Sequence, residues 1–150
     1  WPTRSADVVQ PMTDAEWKAF VRQGTRTGKL AITLASGRPT VTPVWFVLED
    51  DGKLRITTGI DSPKAKSLAR DPRACLLVDL EEPPYGFVRI DCTARLDSDP
   101  TERLRVATAV GGRYMGAQRA AEFGQRNGGD DEVVVEFTPL RVVAIGDMAE

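Results

Sequence analysis

Ser62, Pro63 and Lys64 stand in a row, and that order marks the start of a helix. Serine is a capping type, and proline suits the first helical position, where a missing N–H costs nothing. The first turn of a helix leaves N–H groups unpaired and carries the positive end of the dipole, so it already favours an anion. A lysine is poorly placed against that dipole unless an anion is its partner. The simpler alternative is a solvated first-turn lysine, with or without Asp61 as its partner. Thr57, Thr58 and Ser62 add three hydroxyls within a few residues of the ammonium. Together these types suit the holding of a phosphate.

A second block, residues 37–46, reads Gly-Arg-Pro-Thr-Val-Thr-Pro-Val-Trp-Phe and is predicted as a strand. Period two puts Val41, Pro43, Trp45 and Val47 on one face and Thr42, Val44, Phe46 and Leu48 on the other. Both faces are largely apolar, so a core and a helix, or a core and a second subunit, would have to cover them. Pro43 cannot donate to a ladder. A planar ring lying along the strand would also satisfy backbone groups near it.

The chain has no histidine. That excludes Ser-His-Asp and Cys-His triads as usually built, the HExxH zinc proteases and the His-bearing zinc deaminases. An enzyme with this composition draws its chemistry from a cofactor. Cys75 and Cys92 lie in apolar strand-like runs and read as buried, reduced thiols, which fits a cytoplasmic protein. The acidic groups at 49–51, 97–99 and 130–132 fall in predicted turns as solvated residues, without EF-hand spacing, so no metal site is expected. Gly111-Gly112 lacks any Walker or GxGxxG context. Arg113 and Tyr114 read as a cap and packing anchor between two helical pieces, in preference to a pair facing a ligand.

The elements that must position these residues follow from pattern. The 150 residues make one domain, with 1–11 read as a flexible lead, and are enough to bury a core without disulfides or metal. A net charge of −2 gives no general attraction to nucleic acid or to anionic membranes, and no run approaches a membrane-spanning length. Thr13-Asp14-Ala15-Glu16 fits a capping box, opening a helix that buries Trp17, Phe20 and Val21. Strands are predicted over 29–35, 40–49, 54–58, 74–79, 88–96, 132–138 and 141–145, with helices after Ser62 and after Asp99. Residues 111–116 are expected to interrupt the second of these helices, before a further helical piece to about 127. Val88, Ile90, Cys92, Ala94 and Leu96 share the inward face of their strand. The fold class is mainly β with flanking helices, and six or seven antiparallel strands in one small domain close most simply into a barrel.

In order and spacing, the chain resembles the split-β-barrel flavin and deazaflavin oxidoreductases related to pyridoxamine 5′-phosphate oxidase. It is most similar to their small F420-dependent actinobacterial members. The matching stretches are 12–20, 24–31, 37–46, Thr58-Gly59, Lys64, Asp71-Pro72-Arg73, Pro83-Pro84-Tyr85, 113–116 and 126–128, so the likeness spans nearly the whole chain. The resemblance implies an FMN-binding-type split barrel and a homodimer with cofactor grooves at its interface. By position, Thr42, Pro43, Val44, Trp45 and Phe46 would run along the flavin or deazaflavin ring. Thr57, Thr58, Ser62 and Lys64 would hold the phosphate, and Tyr85 would flank the cofactor.

The implied activity is hydride transfer from reduced F420 to a small conjugated, electron-poor substrate, with the proton from water or from Tyr114. An FMN-dependent oxidoreductase, or a non-catalytic carrier of F420, flavin or a tetrapyrrole, uses the same groove. Two departures stand out. Pro63 replaces the arginine that pyridoxamine phosphate oxidases place before the phosphate-binding lysine, and Cys92 stands where relatives usually have glycine, which puts a bulge there in doubt.

Overall fold

A computed structural model describes residues 10–149. Residues 1–9 of the expected lead lie outside the described residues. Gln10 and Pro11 are not a loose lead but a short strand, β1 (Gln10–Pro11), paired with Gly146 and Ile145.

The capping box forms as its residue types require. Thr13 Oγ1 accepts from Glu16 N at 3.2 Å, and Glu16 Oε1 accepts from Thr13 N at 2.9 Å, opening α1 (Asp14–Arg22). This helix buries Trp17 and Val21, and the chain turns away through Gly24 in the left-handed region at φ 59°.

The other strands are β2 (Gly28–Thr33), β3 (Pro39–Val44), β4 (Val47–Leu48), β5 (Leu54–Gly59), β6 (Arg73–Leu80), β7 (Gly86–Asp97) and β8 (Glu132–Gly146). With β1 they form one eight-stranded antiparallel sheet in the order β3-β2-β6-β7-β8-β5-β4, with β1 on β8. The sheet curls around a core that includes Leu30, Phe46, Leu54, Ile56, Leu76, Ile90 and Phe137. Each such side chain contributes roughly 2 kcal/mol by leaving water. The helices α2 (Pro63–Arg70), α3 (Pro100–Met115) and α4 (Ala120–Asn127) flank it, giving the mainly β split barrel expected from the pattern.

Three details differ from the pattern. The strand expected over 40–49 breaks at Trp45-Phe46: β3 pairs with β2, whereas β4 pairs with β5. The chain therefore crosses here between the two ends of the sheet, and no ladder joins β3 to β4. The two last strands are one, β8, with a register shift opposite Asp91 and Cys92 that leaves Leu140 as the extra residue. A bulge thus forms at Cys92 although the position is not glycine, because the additional residue sits on the partner strand. Finally, α3 runs unbroken through Gly111-Gly112 and ends at Gly116, φ 96°. A Cβ on Gly111 would lie 2.5 Å from Phe123 Cβ, so this glycine permits close packing of α4 instead of ending the helix.

Candidate functional site

The end of β5, the start of α2 and the β3–β4 corner enclose a groove of about 330 Å³. Pro43, Val44 and Trp45 line it from the corner, Thr57, Thr58 and Gly59 from β5, and Lys64 from α2. Val110 of α3, Asn127 of α4 and Glu132 of β8 complete it.

Local sequence explains each placement. Ser62 caps α2, its Oγ accepting from Ala65 N at 3.1 Å, and it lies 3.2 Å from the Thr58 hydroxyl. Pro63 occupies the first turn, which carries no acidic residue. Lys64 is half-exposed and makes no hydrogen bond or ion pair among the described residues, so no pair with Asp61 forms. The Ala65 and Lys66 N–H groups are already taken by Ser62, so the Lys64 ammonium is the charge that this helix start leaves without a protein partner among the described residues.

The strand around Pro43 has two unlike faces. Val44, Phe46 and Leu48 are buried, while Val41 and Trp45 remain 62% and 37% exposed. Pro43 lies on β3, an edge strand, where a missing donor is tolerated. The Trp45 ring stacks on Tyr114 with centroids 5.0 Å apart and planes 4° from parallel, and Phe123 tilts against it at 6.0 Å. This stacking fixes the orientation of an aromatic wall at the mouth of the groove.

Arg113 and Tyr114 hold that wall. Arg113 donates to the carbonyls of Phe46 and Val21 at 2.7 Å each and of Gly24 at 3.1 Å, tying the end of α1 to the corner. The Tyr114 hydroxyl donates to Arg26 O at 2.8 Å and accepts from Phe46 N at 3.3 Å. Burial pushes its pKa above the usual value, although the Phe46 N–H and Arg113 act in the opposite direction. A hydroxyl so committed anchors the corner, which is the role read for the pair from sequence.

The remaining site residues of the sequence reading fall elsewhere. Phe46 is fully buried in the core. Thr42, opposite Leu30 in the ladder, is half-buried on the same face as Val44. Tyr85, at φ 58°, lines a separate and larger cleft of about 640 Å³ with Met12, Phe20 and Pro84. Within one chain Tyr85 does not meet Lys64.

Glu132 and Asn127 are the groove residues that sequence reasoning missed. Glu132 reads from sequence both as the last of a solvated acidic group and as the first residue of a strand. It is the first residue of β8, paired with Gly59, but it is not simply solvated: its Oε2 is buried with no hydrogen-bond partner among the described residues. Burial, and then the charge of Asp131, raise its pKa. The available signal was its place at the head of the run Glu-Val-Val-Val-Glu, whose apolar residues make the strand. Among the described residues, no three His, Cys, Asp or Glu side chains converge as a metal site requires. The Cys92 thiol is buried and pushed up to about 12, so it stays protonated. No helix of the described residues is long and apolar enough to cross a membrane.

A curled antiparallel sheet with flanking helices defines the class of split-barrel proteins. The family model described as pyridoxamine 5′-phosphate oxidase matches residues 13–146, and the chain belongs to that family. No curated protein sequence is similar enough to match. Among solved structures, a conserved hypothetical protein of Mycobacterium tuberculosis, Rv2991, is 27% identical with a TM-score of 0.81, over 99% of this chain and 92% of that one. A protein described as an F420 reductase is 21% identical with a TM-score of 0.63, over 83% and 94%. HutZ, the heme storage protein from Vibrio cholerae, is 21% identical with a TM-score of 0.68, over 89% and 94%. The last two likenesses establish shared fold.

Proposed function

We propose that this protein is an F420-dependent reductase that delivers a hydride to a small, conjugated, electron-poor substrate. The observation that carries this reading is the unpaired Lys64 at the start of α2, set in a groove that also presents Trp45 and the edge strand at Pro43. The residues fit such a cofactor: an anion site at one end, and an apolar, aromatic strand at the other.

Lys64, with the Thr57, Thr58 and Ser62 hydroxyls, holds the phosphate. Pro43, Val44 and Trp45 lie along the ring, and Thr42 and Phe46 support that strand, Phe46 through its burial in the core. When bound, the deazaflavin supplies the hydride. The chain's share of the work is alignment of donor and acceptor to roughly 3–3.5 Å, which needs no strong protein acid. Water supplies the proton, since the Tyr114 hydroxyl is engaged with Arg26 O.

Pro63 supports F420 over FMN, because it removes the second cation that the oxidases of this family resemblance carry beside the lysine. The working unit is a cytoplasmic homodimer in which Tyr85 of a second copy flanks the groove. Exposed Val41 and Leu140, at 62% and 70%, support a covering subunit.

Titration of the purified protein with F420 and FMN side by side, followed by fluorescence, tests the proposal. F420 binding with reduction of an enone or quinone panel is expected. Tight FMN binding without F420 binding would overturn the cofactor choice. Binding of F420 without turnover would make the protein a carrier.

A further inference from the structure

Glu132 opens β8 where β5 closes, directly across the ladder from Gly59. Opposed residues of an antiparallel pair share a face, so Glu132 stands on the side of the sheet that carries Thr57 and Val134. Gly59 offers no side chain to cover it; even an added Cβ there would find only Ser62, at 3.8 Å. The carboxyl therefore borders the groove with one oxygen buried and unpaired.

Leaving a buried carboxyl oxygen unsatisfied is unfavourable, so this oxygen calls for an explanation, and a ligand donor is one that the groove can supply. Lys64 lines the same groove, yet the two do not pair with each other, and Asn127 beside them also has no partner among the described residues. An acid placed here repels a ligand that is only an anion. It favours one that carries a donor close to its negative group.

We infer that Glu132 accepts a hydrogen bond from a hydroxyl that the ligand carries next to its anionic group, so that the groove selects a hydroxylated, phosphate-bearing chain over a bare one. This inference rests on the groove being the cofactor site. The burial that raises the Glu132 pKa acts in the same sense, because a low-dielectric setting strengthens the bond once a donor is present. Asn127 supplies a neutral donor and acceptor to the same chain.

The test compares F420 or FMN, whichever binds, with an analogue that keeps ring and phosphate but replaces the hydroxylated linker by a plain alkyl chain. Wild-type protein is expected to prefer the hydroxylated ligand, and Glu132→Leu to reduce that preference by about tenfold or more. Glu132→Gln, whose carbonyl still accepts, retains part of it. Thermal unfolding without ligand is expected to show Glu132→Leu at least as stable as wild type, since it removes a half-buried acid with one buried, unpaired oxygen. If the parent ligand binds but Glu132→Leu keeps the full preference, the role of Glu132 is overturned while the cofactor site stands. If neither F420 nor FMN binds wild type, both readings fall.

Discussion

The β5–β8 ribbon carries charge at both ends of one face, and the two ends treat it in opposite ways. At the Arg55 end, the guanidinium is 8% exposed and contacts Glu136 and Glu49 at 3.1 and 3.0 Å and Asp51 at 2.7 Å. Lys53 and Arg95 also bond Glu136, and Arg105 closes on Glu49. At the Glu132 end, four ladder positions away, a carboxyl oxygen and the Lys64 ammonium have no partners among the described residues. The first end is a closed network that fixes how α3 sits on the sheet. The second leaves a carboxyl oxygen and an ammonium unpaired among the described residues, which is the arrangement the proposed groove uses.

The contrast extends to protonation. Burial alone would raise the Glu136 pKa, but hydrogen bonds from Arg95, Lys53 and Arg55 overcome it and hold the group at about 2. Arg55, bonded to both oxygens of Asp51, is the main reason that carboxyl is also held at about 2. At Glu132 nothing opposes burial, and the shift goes upward.

The largest effect expected from breaking this contrast is at the closed end. Arg55→Ala strands Glu136 and Asp51 and should cost roughly 3 kcal/mol in urea unfolding, because one partner of a buried charge network is removed. Cofactor affinity should change little. A loss below about 1 kcal/mol would mean that the network is no more than a set of surface pairs.

At the open end the signs reverse. Lys64→Ala should leave stability within about 0.5 kcal/mol of wild type while weakening cofactor binding roughly 10- to 100-fold. Wild-type affinity in that variant would remove the anion assignment.

Stability as a function of pH separates the ends within one protein. Glu136 and Asp51 have folded pKa values below their ordinary ones of 4.5 and 3.8, so their contribution is full above those values and is lost as pH falls toward about 2. Glu132, raised above 4.5, contributes in the other direction: its share is full below 4.5 and is lost as pH rises through its folded value. Glu132→Gln should therefore flatten the upper part of the profile and leave the acid limb intact. An unchanged upper limb would show that its carboxyl is solvated.

The smallest effect is at the corner between the ends. Tyr114→Phe removes the bond to Arg26 O and should cost about 1 kcal/mol, with turnover retained. A fall in turnover at unchanged stability would instead make Tyr114 the proton donor.

Much of this was legible along the chain. Thr13 and Glu16 announced α1, Ser62-Pro63 announced α2, and the alternation in 88–96 marked the central strand, because caps and period-two burial act between residues close in sequence. The break at Trp45-Phe46 was not legible, since both halves keep the same alternation and differ only in which distant strand they pair with. Gly111-Gly112 read as an interruption because its real constraint, the approach of Phe123, lies on another helix.

For the site, the chain alone determined the ingredients: a lysine and three hydroxyls about a helix start, a proline-bearing apolar strand, and the lack of histidine that points to borrowed chemistry. These are local facts of residue type and backbone preference. Only the tertiary structure decided which charges were already spent. Pairing β5 with β8 brought Glu136 to Arg55 and closed one network, and the same ladder brought Glu132 to Gly59 and left it unpaired beside Lys64. Whether a charge has a partner depends on contacts between residues far apart in sequence, and folding sets those.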